Sequence, residues 1–460
     1  VVIIGGGPGG YESALVARQL GAEVVLVDSD GVGGSAVLTD CVPSKTLIAT
    51  AELMTDLATA PELGIGLADP DAPASQVRVD LARVNARVLR LAAEQSADIG
   101  RRLERDGVKV VTGRGHLDGR EQVVVTTPDG STERIEADAI LIATGAAPRT
   151  LPTAEPDGER ILTWEQIYDL TETPERLIVV GSGVTGAEFA SAYLALGIEV
   201  VLVSSRDRVL PGEDSDAAEV LEQVLTRRGM NVMNKSRMES VARTGDVVTV
   251  RLTDGREVTG SHCLLALGSI PNTAGLGLEA AGVAVDDGGF IKVDRVSRTT
   301  ARGVYAAGDC TGVLMLASVA AMQGRIAMWH FLGDAVAPLD LKKVSSNVFT
   351  APEIATVGWT QQAVDDGEIV AEVVRLELSG NPRAKMQGVR DGFVKLFCRP
   401  GTGIVIGGVV VGPRASELIH PVSIAVAESL TADQLANAFT VYPSNSGSIA
   451  EAARRLHHPA

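Results

Sequence analysis

Aromatic residues are scarce in this chain: Phe, Trp and Tyr make up 3% of its 460 residues. Such a sequence offers no stacking platform for single-stranded nucleic acid. Positive charge is also in deficit. Against 58 Asp and Glu stand 41 Lys and Arg, a formal net charge of -17. That balance argues against general binding to nucleic acid or anionic membranes, although it leaves room for a local basic patch. Cysteine is rare too. Cys41, Cys263, Cys310 and Cys398 are widely spaced, which fits neither a metal-ligand cluster nor a secreted disulfide framework. No apolar run reaches roughly 18 residues, so stable membrane insertion is not expected. No basic segment with a cleavage site precedes the opening strand. These absences lead us to expect a soluble, cytoplasmic protein without a bound metal. A last absence is local. The stretch "GVGGSAVLTDCVPSK", Gly31 to Lys45, contains Cys41, and Ala36 stands five residues earlier, where a redox partner thiol could sit.

The chain is too long for one ordinary core, so two to four domains are expected. Glycine is plentiful, with 50 residues, and its placement is informative. Val1 to Ile4 is an unbroken apolar run, as a buried parallel strand requires. "GGGPGG" follows, with Gly5, Gly7 and Gly10 in GxGxxG positions. "YESALVARQLG" then reads as a helix ending at Gly21, and "AEVVLVD" as a strand ending at Asp28. The first glycine permits a tight turn, the second lets backbone approach a pyrophosphate, and the third allows close helix–sheet packing. Asp28 is placed to accept from a ribose hydroxyl.

The unit returns later. Leu177 to Val180 precedes "GSGVTG", with Gly181, Gly183 and Gly186, then the helix "AEFASAYLALG" and the strand "IEVVLVS". Gly5 and Gly181 are offset by 176 residues, as are Asp28 and Ser204. The acidic residue of the first unit is thus serine in the second. An acid at that position repels a ribose 2′-phosphate. "SSRDR" offers Ser204, Ser205, Arg206 and Arg208 instead, which suit a phosphate. The second unit should accept NADPH without excluding NADH. The plainer reading of Arg206 and Arg208 is solvated surface charge.

Further along, Leu81 to Arg105 has the spacing of one long amphipathic helix. "KVVTGRGHLDG", "QVVVTT" and "ERIEADAILIATG" read as strands closing the first domain. "GVYAAGD" ends a strand at Gly308 and Asp309; that carboxylate either binds a polar ligand or caps the next helix. Beyond Ala351 three strands are followed by helices over 415–429 and 431–439, an α+β pattern. His330 is expected near a helix end, and His420 in a structural role. His457 and His458 are expected to be disordered.

Two dinucleotide units, "CVPSK", "ATG" at Ala143 to Gly145, and "AAGD" together resemble the flavoprotein disulfide reductases, the family of lipoamide dehydrogenase and glutathione reductase. The resemblance covers nearly the whole chain. It implies an α/β fold with two Rossmann-like domains, for FAD and NAD(P), and a C-terminal α+β dimerisation domain. The implied boundaries are 1–150 and 271–345 for the FAD and central parts, 151–270 for NAD(P), and 346–460 for the interface. Gly33, Ser35, Thr144, Gly145, Gly268, Gly308 and Asp309 join the cofactor-binding set. Lys45 and Glu188 match a lysine and a glutamate beside the flavin; the plainer alternatives are a solvated lysine and a glutamate favoured by its helix N-terminus.

The same resemblance exposes three departures. Cys41 matches the thiol nearest the flavin, but Ala36 replaces the thiol that exchanges with substrate. Tyr442 replaces the acid–base histidine, and Gly447 the glutamate that orients it. Dithiol exchange needs an attacking thiolate, a resolving thiol and a base that titrates near working pH. The hydride half is retained. The expected activity is therefore hydride transfer from NADPH or NADH to FAD, and then directly to a quinone. In this the chain resembles a mycobacterial-type branch of the family, which implies a quinone as acceptor. Tyr442 would line the acceptor site across a homodimer or homotetramer, or else pack the interface. Two alternatives stay open: a disulfide or peroxide reductase using Cys41 alone, and an inactive flavin-binding regulator.

Overall fold

The apolar run at the start of the chain has both faces buried. Val2 and Ile4 enter one core, and Ile3 enters another. The same alternation recurs along Ile140–Ile142, where Leu141 faces the opposite way from its neighbours. This is what a parallel strand covered on both sides requires. The computed structural model describes residues 1–66 and 77–457; His458 lies outside them.

The chain divides into two units. Val1–Thr46, Asn85–Arg149 and Gly268–Asp340 form the first. Leu47–Val84, Thr150–Leu267 and Leu341–Ala460 form the second.

In the first unit a five-stranded parallel sheet has the order Val304–Ala306, Ile140–Ile142, Val2–Ile4, Val25–Asp28, Lys109–Thr112. The helices Pro8–Gln19 and Ala317–Leu332 cover one face, joined by Ile99 and Leu103 of the Leu81–Arg105 helix. That helix has the bounds its periodicity predicts. A three-stranded antiparallel meander, Arg114–Leu117, Gln122–Thr126 and Thr132–Glu136, contributes to the core on the other face.

The second unit repeats this plan. Its parallel sheet runs Ile161–Leu162, His262–Leu265, Arg176–Val180, Glu199–Val203, Asn231–Met233. Another three-stranded meander, within 238–260, again falls between the third and fourth strands in chain order of the repeated unit. The repeat therefore extends beyond the strand–turn–helix that sequence revealed. In both sheets the central strand has neighbours connected in opposite directions. That switch point opens a crevice at the carboxyl ends of the strands, where open α/β sheets bind ligands.

From residue 341 onward the second unit contains a five-stranded antiparallel sheet, in the order Ser345–Val348, Glu353–Gly358, Val405–Gly412, Phe393–Cys398, Glu372–Glu377. Helices within 415–456 pack on it. The expected single helix over 415–429 is instead two, Ala415–Leu418 and His420–Ala427. Pro421 explains the break: it lacks an N–H, suits a first turn and disfavours the middle of a helix. The next helix stops at Asn437 rather than Phe439. A final helix, Gly447–Arg454, was not anticipated.

One buried cation ties the second sheet's nucleotide domain to this antiparallel sheet. Lys395 on Phe393–Cys398 lies 2.9 and 3.0 Å from the two oxygens of Asp214, and 2.7 Å from Asp216. Asp214 also caps the helix Ser215–Arg227 by accepting from the N–H groups of Asp216 and Ala217. Removing one member of such a buried set costs about 3–5 kcal/mol, because the remaining charge is left uncompensated.

Candidate functional site

The two glycine turns are superimposable in their constraints. Gly5 donates to Val27 O at 2.8 Å, and Gly181 to Val203 O at 2.9 Å. Both have positive φ, +102° and +113°. A Cβ on Gly10 would lie 1.8 Å from Gly5 O, and one on Gly186 would lie 1.8 Å from Gly181 O. No side chain fits either place. Gly7 and Gly183 sit at the N-caps with extended backbone, without a side-chain cap or an acid in the first turn. The helix N-termini are thus open to an anion, in the first through Gly9 N–H, since Pro8 has no N–H and Gly10 donates to Gly7 O at 2.8 Å, and the dipole favours one.

At the first end, the segment around Gly33 completes the crevice. Gly33 donates to Gly6 O at 2.7 Å, and a Cβ on Gly34 would lie 2.7 Å from Gly7 Cα. Ser35, in the short helix Gly34–Leu38, is exposed. Asp28 holds the crevice together from the strand end. Its Oδ2 accepts from Gly6 N–H at 2.6 Å, and its Oδ1 from Asp30 and Gly31 N–H groups. Thr144 and Asn272 are joined by two hydrogen bonds of 2.7 and 3.1 Å, and Gly145 O accepts from Asn272 N–H. Gly268 has positive φ and its carbonyl accepts from Arg149 N–H.

Gly308 donates its N–H to the buried Gln323 side chain at 2.8 Å. Asp309 follows at the start of a 3-10 turn. It does not cap the Ala317–Leu332 helix, whose N-cap is Leu316. Among the described residues no donor bonds the Asp309 carboxylate. Burial, and then the Asp40 carboxylate, push its pKa up to about 6. A glycine-lined anion crevice and a half-buried acceptor that lacks a donor among the described residues fit a dinucleotide with a polyol chain, as FAD is.

Cys41 begins the helix Cys41–Thr59, with Lys45 one turn on, so both lie on one helical face. Ala36 lies in the preceding helix Gly34–Leu38. No disulfide is formed by the four cysteines. The other three thiols are buried. Burial pushes Cys310 up to about 11 and Cys398 up to about 12, and raises Cys263 further. Cys310 is turned toward the carbonyls of Ala307 and Ile142.

At the second end, Glu188 is buried at the fifth residue of the helix Val184–Ala195. It lies beyond the first turn, so the helix N-terminus does not account for it. Its Oε1 accepts from Phe349 N–H at 2.9 Å, and Ser191 Oγ accepts from Ala351 N–H at 3.2 Å. Ser204 is fully buried. Its Oγ lies 2.6 Å from Ser182 Oγ and accepts from Arg206 N–H at 3.1 Å. Arg206 is exposed, whereas Arg208 is half-buried and donates to Pro211 O.

Tyr442 is 83% exposed on an extended strap with Phe439 and Val441, also exposed. Gly447 opens the helix that follows. Both border a cavity of about 760 Å³ with Asn381 and Arg454. His330 lies in the last turn of its helix, with Nδ1 2.9 Å from Tyr305 OH. His420 is exposed at a helix start. His457 is placed with its Nδ1 2.7 Å from Asp433 Oδ1. Sequence reasoning missed Gln323 and Asn272, which position Gly308 and Thr144. Neither belongs to a local motif, since each reaches its partner from a distant segment.

Residues 1–324 match the model of the pyridine nucleotide-disulphide oxidoreductases, and residues 344–453 match the dimerisation domain of those enzymes. The chain is 56% identical, over 99% of its length and 93% of the relative's, to a Mycobacterium tuberculosis protein named NAD(P)H dehydrogenase (quinone). It is 34% identical to a dihydrolipoyl dehydrogenase of Chlorobaculum tepidum, over 98% of this chain and 96% of that one. Its fold matches the crystal structure of LpdA from Mycobacterium tuberculosis with a TM-score of 0.94 and 54% identity, covering 99% of both chains. The HOCl-induced flavoprotein disulfide reductase RclA from Escherichia coli matches at 0.87 and 25% identity, over 99% of both. The chain belongs to the pyridine nucleotide-disulphide oxidoreductase family.

Proposed function

We propose that this member of the pyridine nucleotide-disulphide oxidoreductases is an FAD-dependent NAD(P)H:quinone oxidoreductase that works without a redox-active disulfide. The observation that carries this reading is the pairing of Ala36 with Cys41 in a chain whose other three cysteines are buried and hard to ionise. A thiolate relay needs a second accessible thiol, and none of these three supplies it.

The residues then fall into roles. Gly5, Gly7, Gly10 and Gly33 would hold the flavin diphosphate, Asp28 the ribose end, and Asp309 a polyol hydroxyl. The flavin, when bound, accepts a hydride from the nicotinamide and passes electrons to the acceptor. Gly181, Gly183 and Gly186 would hold the nicotinamide dinucleotide, with Arg206 and Arg208 on the side of a 2′-phosphate. Lys45 and Glu188 would set the electrostatics of hydride transfer. Glu188 is suited to this because Phe349 N–H fixes its carboxylate. Tyr442 would meet the quinone in a homodimer. Support for that assembly comes from the dimerisation-domain match and from the apolar strap that holds Phe439, Val441 and Tyr442. Tyrosine can donate a hydrogen bond or stack on a ring, but its ordinary pKa near 10 makes it a poor base for thiol exchange.

Cys41→Ser tests the reading. The variant is expected to retain NADPH–menadione turnover. Loss of that turnover, with flavin still bound, would return the reaction to Cys41 and favour a single-cysteine mechanism.

A further inference from the structure

Ser204 occupies the strand end where the first unit has its ribose-binding acid, yet it is fully buried. Its hydroxyl is engaged with Ser182 Oγ and Arg206 N–H. Discrimination between NADPH and NADH must then come from groups outside it. Arg208 is partly withdrawn, with Nη2 3.4 Å from Pro211 O. Ser205, Arg206 and Asp207 remain exposed.

A second segment reaches this place. The strand Asn231–Met233 pairs in parallel with Glu199–Val203, and both strands end at the same level. The turn after it is stapled to the 204–206 loop by three backbone hydrogen bonds. Ser204 N–H donates to Met233 O at 2.9 Å, Lys235 N–H to Arg206 O at 2.7 Å, and Ser236 N–H to Ser204 O at 2.7 Å. Lys235 is thereby fixed beside Arg206. It is exposed, and its φ is +53°. That left-handed conformation favours glycine or asparagine and is unusual for lysine. Backbone geometry therefore does not select lysine here. Among the described residues neither Arg206 nor Lys235 is in a salt bridge. Two neighbouring cations without a counter-ion repel each other, in a chain whose net charge is -17, and the nearby Asp207 offsets one of them at most. A dianion placed between them relieves that repulsion and gains charge-assisted hydrogen bonds.

We infer that Lys235 is a specificity-determining residue that, with Arg206, binds the 2′-phosphate of NADPH. The inference rests on the reading of the second unit as the nicotinamide dinucleotide site. It adds a residue 29 positions beyond Arg206, in the turn that follows a different strand.

The test uses the FAD-loaded protein and two adenosine probes, 2′,5′-ADP and 5′-AMP, titrated by calorimetry. Wild type should bind 2′,5′-ADP more tightly than 5′-AMP. Lys235→Asn keeps the left-handed backbone accessible, so folding is not at issue. It should weaken 2′,5′-ADP about 2- to 5-fold, the scale of one exposed ion pair, and leave 5′-AMP unchanged. Added salt should shrink the difference. In turnover, KM for NADPH should rise while kcat and both NADH constants hold. If Arg206→Ala loses 2′,5′-ADP affinity and Lys235→Asn does not, the role of Lys235 is overturned and the phosphate pocket stands. If wild type binds both probes equally, the pocket reading fails and the inference with it.

Discussion

At the first nucleotide end a carboxylate spans from strand to glycine turn, with Asp28 Oδ2 accepting from Gly6 N–H at 2.6 Å. At the second, two hydroxyls do so, with Ser204 Oγ and Ser182 Oγ 2.6 Å apart. The two exchanges are coupled. A Cβ on Gly6 would lie 2.9 Å from Asp28 Oδ2, so the carboxylate requires glycine opposite it. Serine at 204 is shorter, and the space is filled by the side chain of Ser182. Replacing acid by serine therefore does more than remove a charge. It converts the strand end into a neutral, buried clasp and leaves Arg206 and its neighbours as the exposed groups there. The backbone scaffold is the same at the two ends, and the pair 28/6 against 204/182 is where their chemistry differs.

The largest expected effect concerns how the second unit is held. Its nucleotide domain hangs from the antiparallel sheet through Lys395 and Asp214. Lys395→Met should lower unfolding free energy by about 3–5 kcal/mol in denaturant titrations. A loss below about 1 kcal/mol would mean that the triad behaves like a surface pair. Next come the third glycines, whose environments match. Gly10→Ala should purify without flavin. Gly186→Ala should keep flavin but slow its reduction by NADPH about 100-fold, through misplacement of the donor. An unchanged rate would break the equivalence of the two turns.

A smaller effect probes the clasp. Ser204→Asp alone buries a carboxylate against Ser182 and should destabilise the protein by about 1–3 kcal/mol. Adding Ser182→Gly rebuilds the arrangement of the first unit. That double variant should recover stability and turn preference toward NADH. If the double variant were no more stable than the single, the coupling would be wrong.

The smallest effect is on pH dependence, where the two units should oppose each other. Burial, followed by Arg160, lowers the pKa of His262 to about 4. Its contribution is present above about 6.5 and is lost as pH falls toward 4. Asp309 is raised to about 6, so its contribution is present below about 3.9 and is lost as pH rises through 6. Melting temperatures of flavin-free His262→Asn and Asp309→Asn across this range should change slope in opposite senses. Slopes of the same sign would contradict the burial argument.

Much of this architecture was legible because it is written in short-range patterns. The 176-residue offset between Gly5 and Gly181 predicts two identical turns, and their hydrogen bonds agree. The helix Leu81–Arg105 follows from apolar spacing alone. The second meander went unread although Gly245-Asp246 and Asp254-Gly255 are turn signals between its strands; Met238–Thr244 lacks the clean apolar alternation that would have marked it as a strand. The burial of Ser204 was hidden for a different reason. It depends on Ser182, which sequence alone marks merely as a variable position of GxGxxG. Lys235 was hidden because strand pairing, rather than proximity along the chain, brings it to Arg206.

The account's central claim is that electrons leave the flavin without passing through a dithiol. It is tested most directly by reducing the FAD-loaded protein anaerobically with NADPH and mixing it with menadione or lipoamide, following flavin absorbance by stopped flow. Rapid reoxidation by menadione and none by lipoamide is the predicted result. Reoxidation by lipoamide would show that Cys41 works with a second thiol, and would contradict the reading built on Ala36, Tyr442 and Gly447.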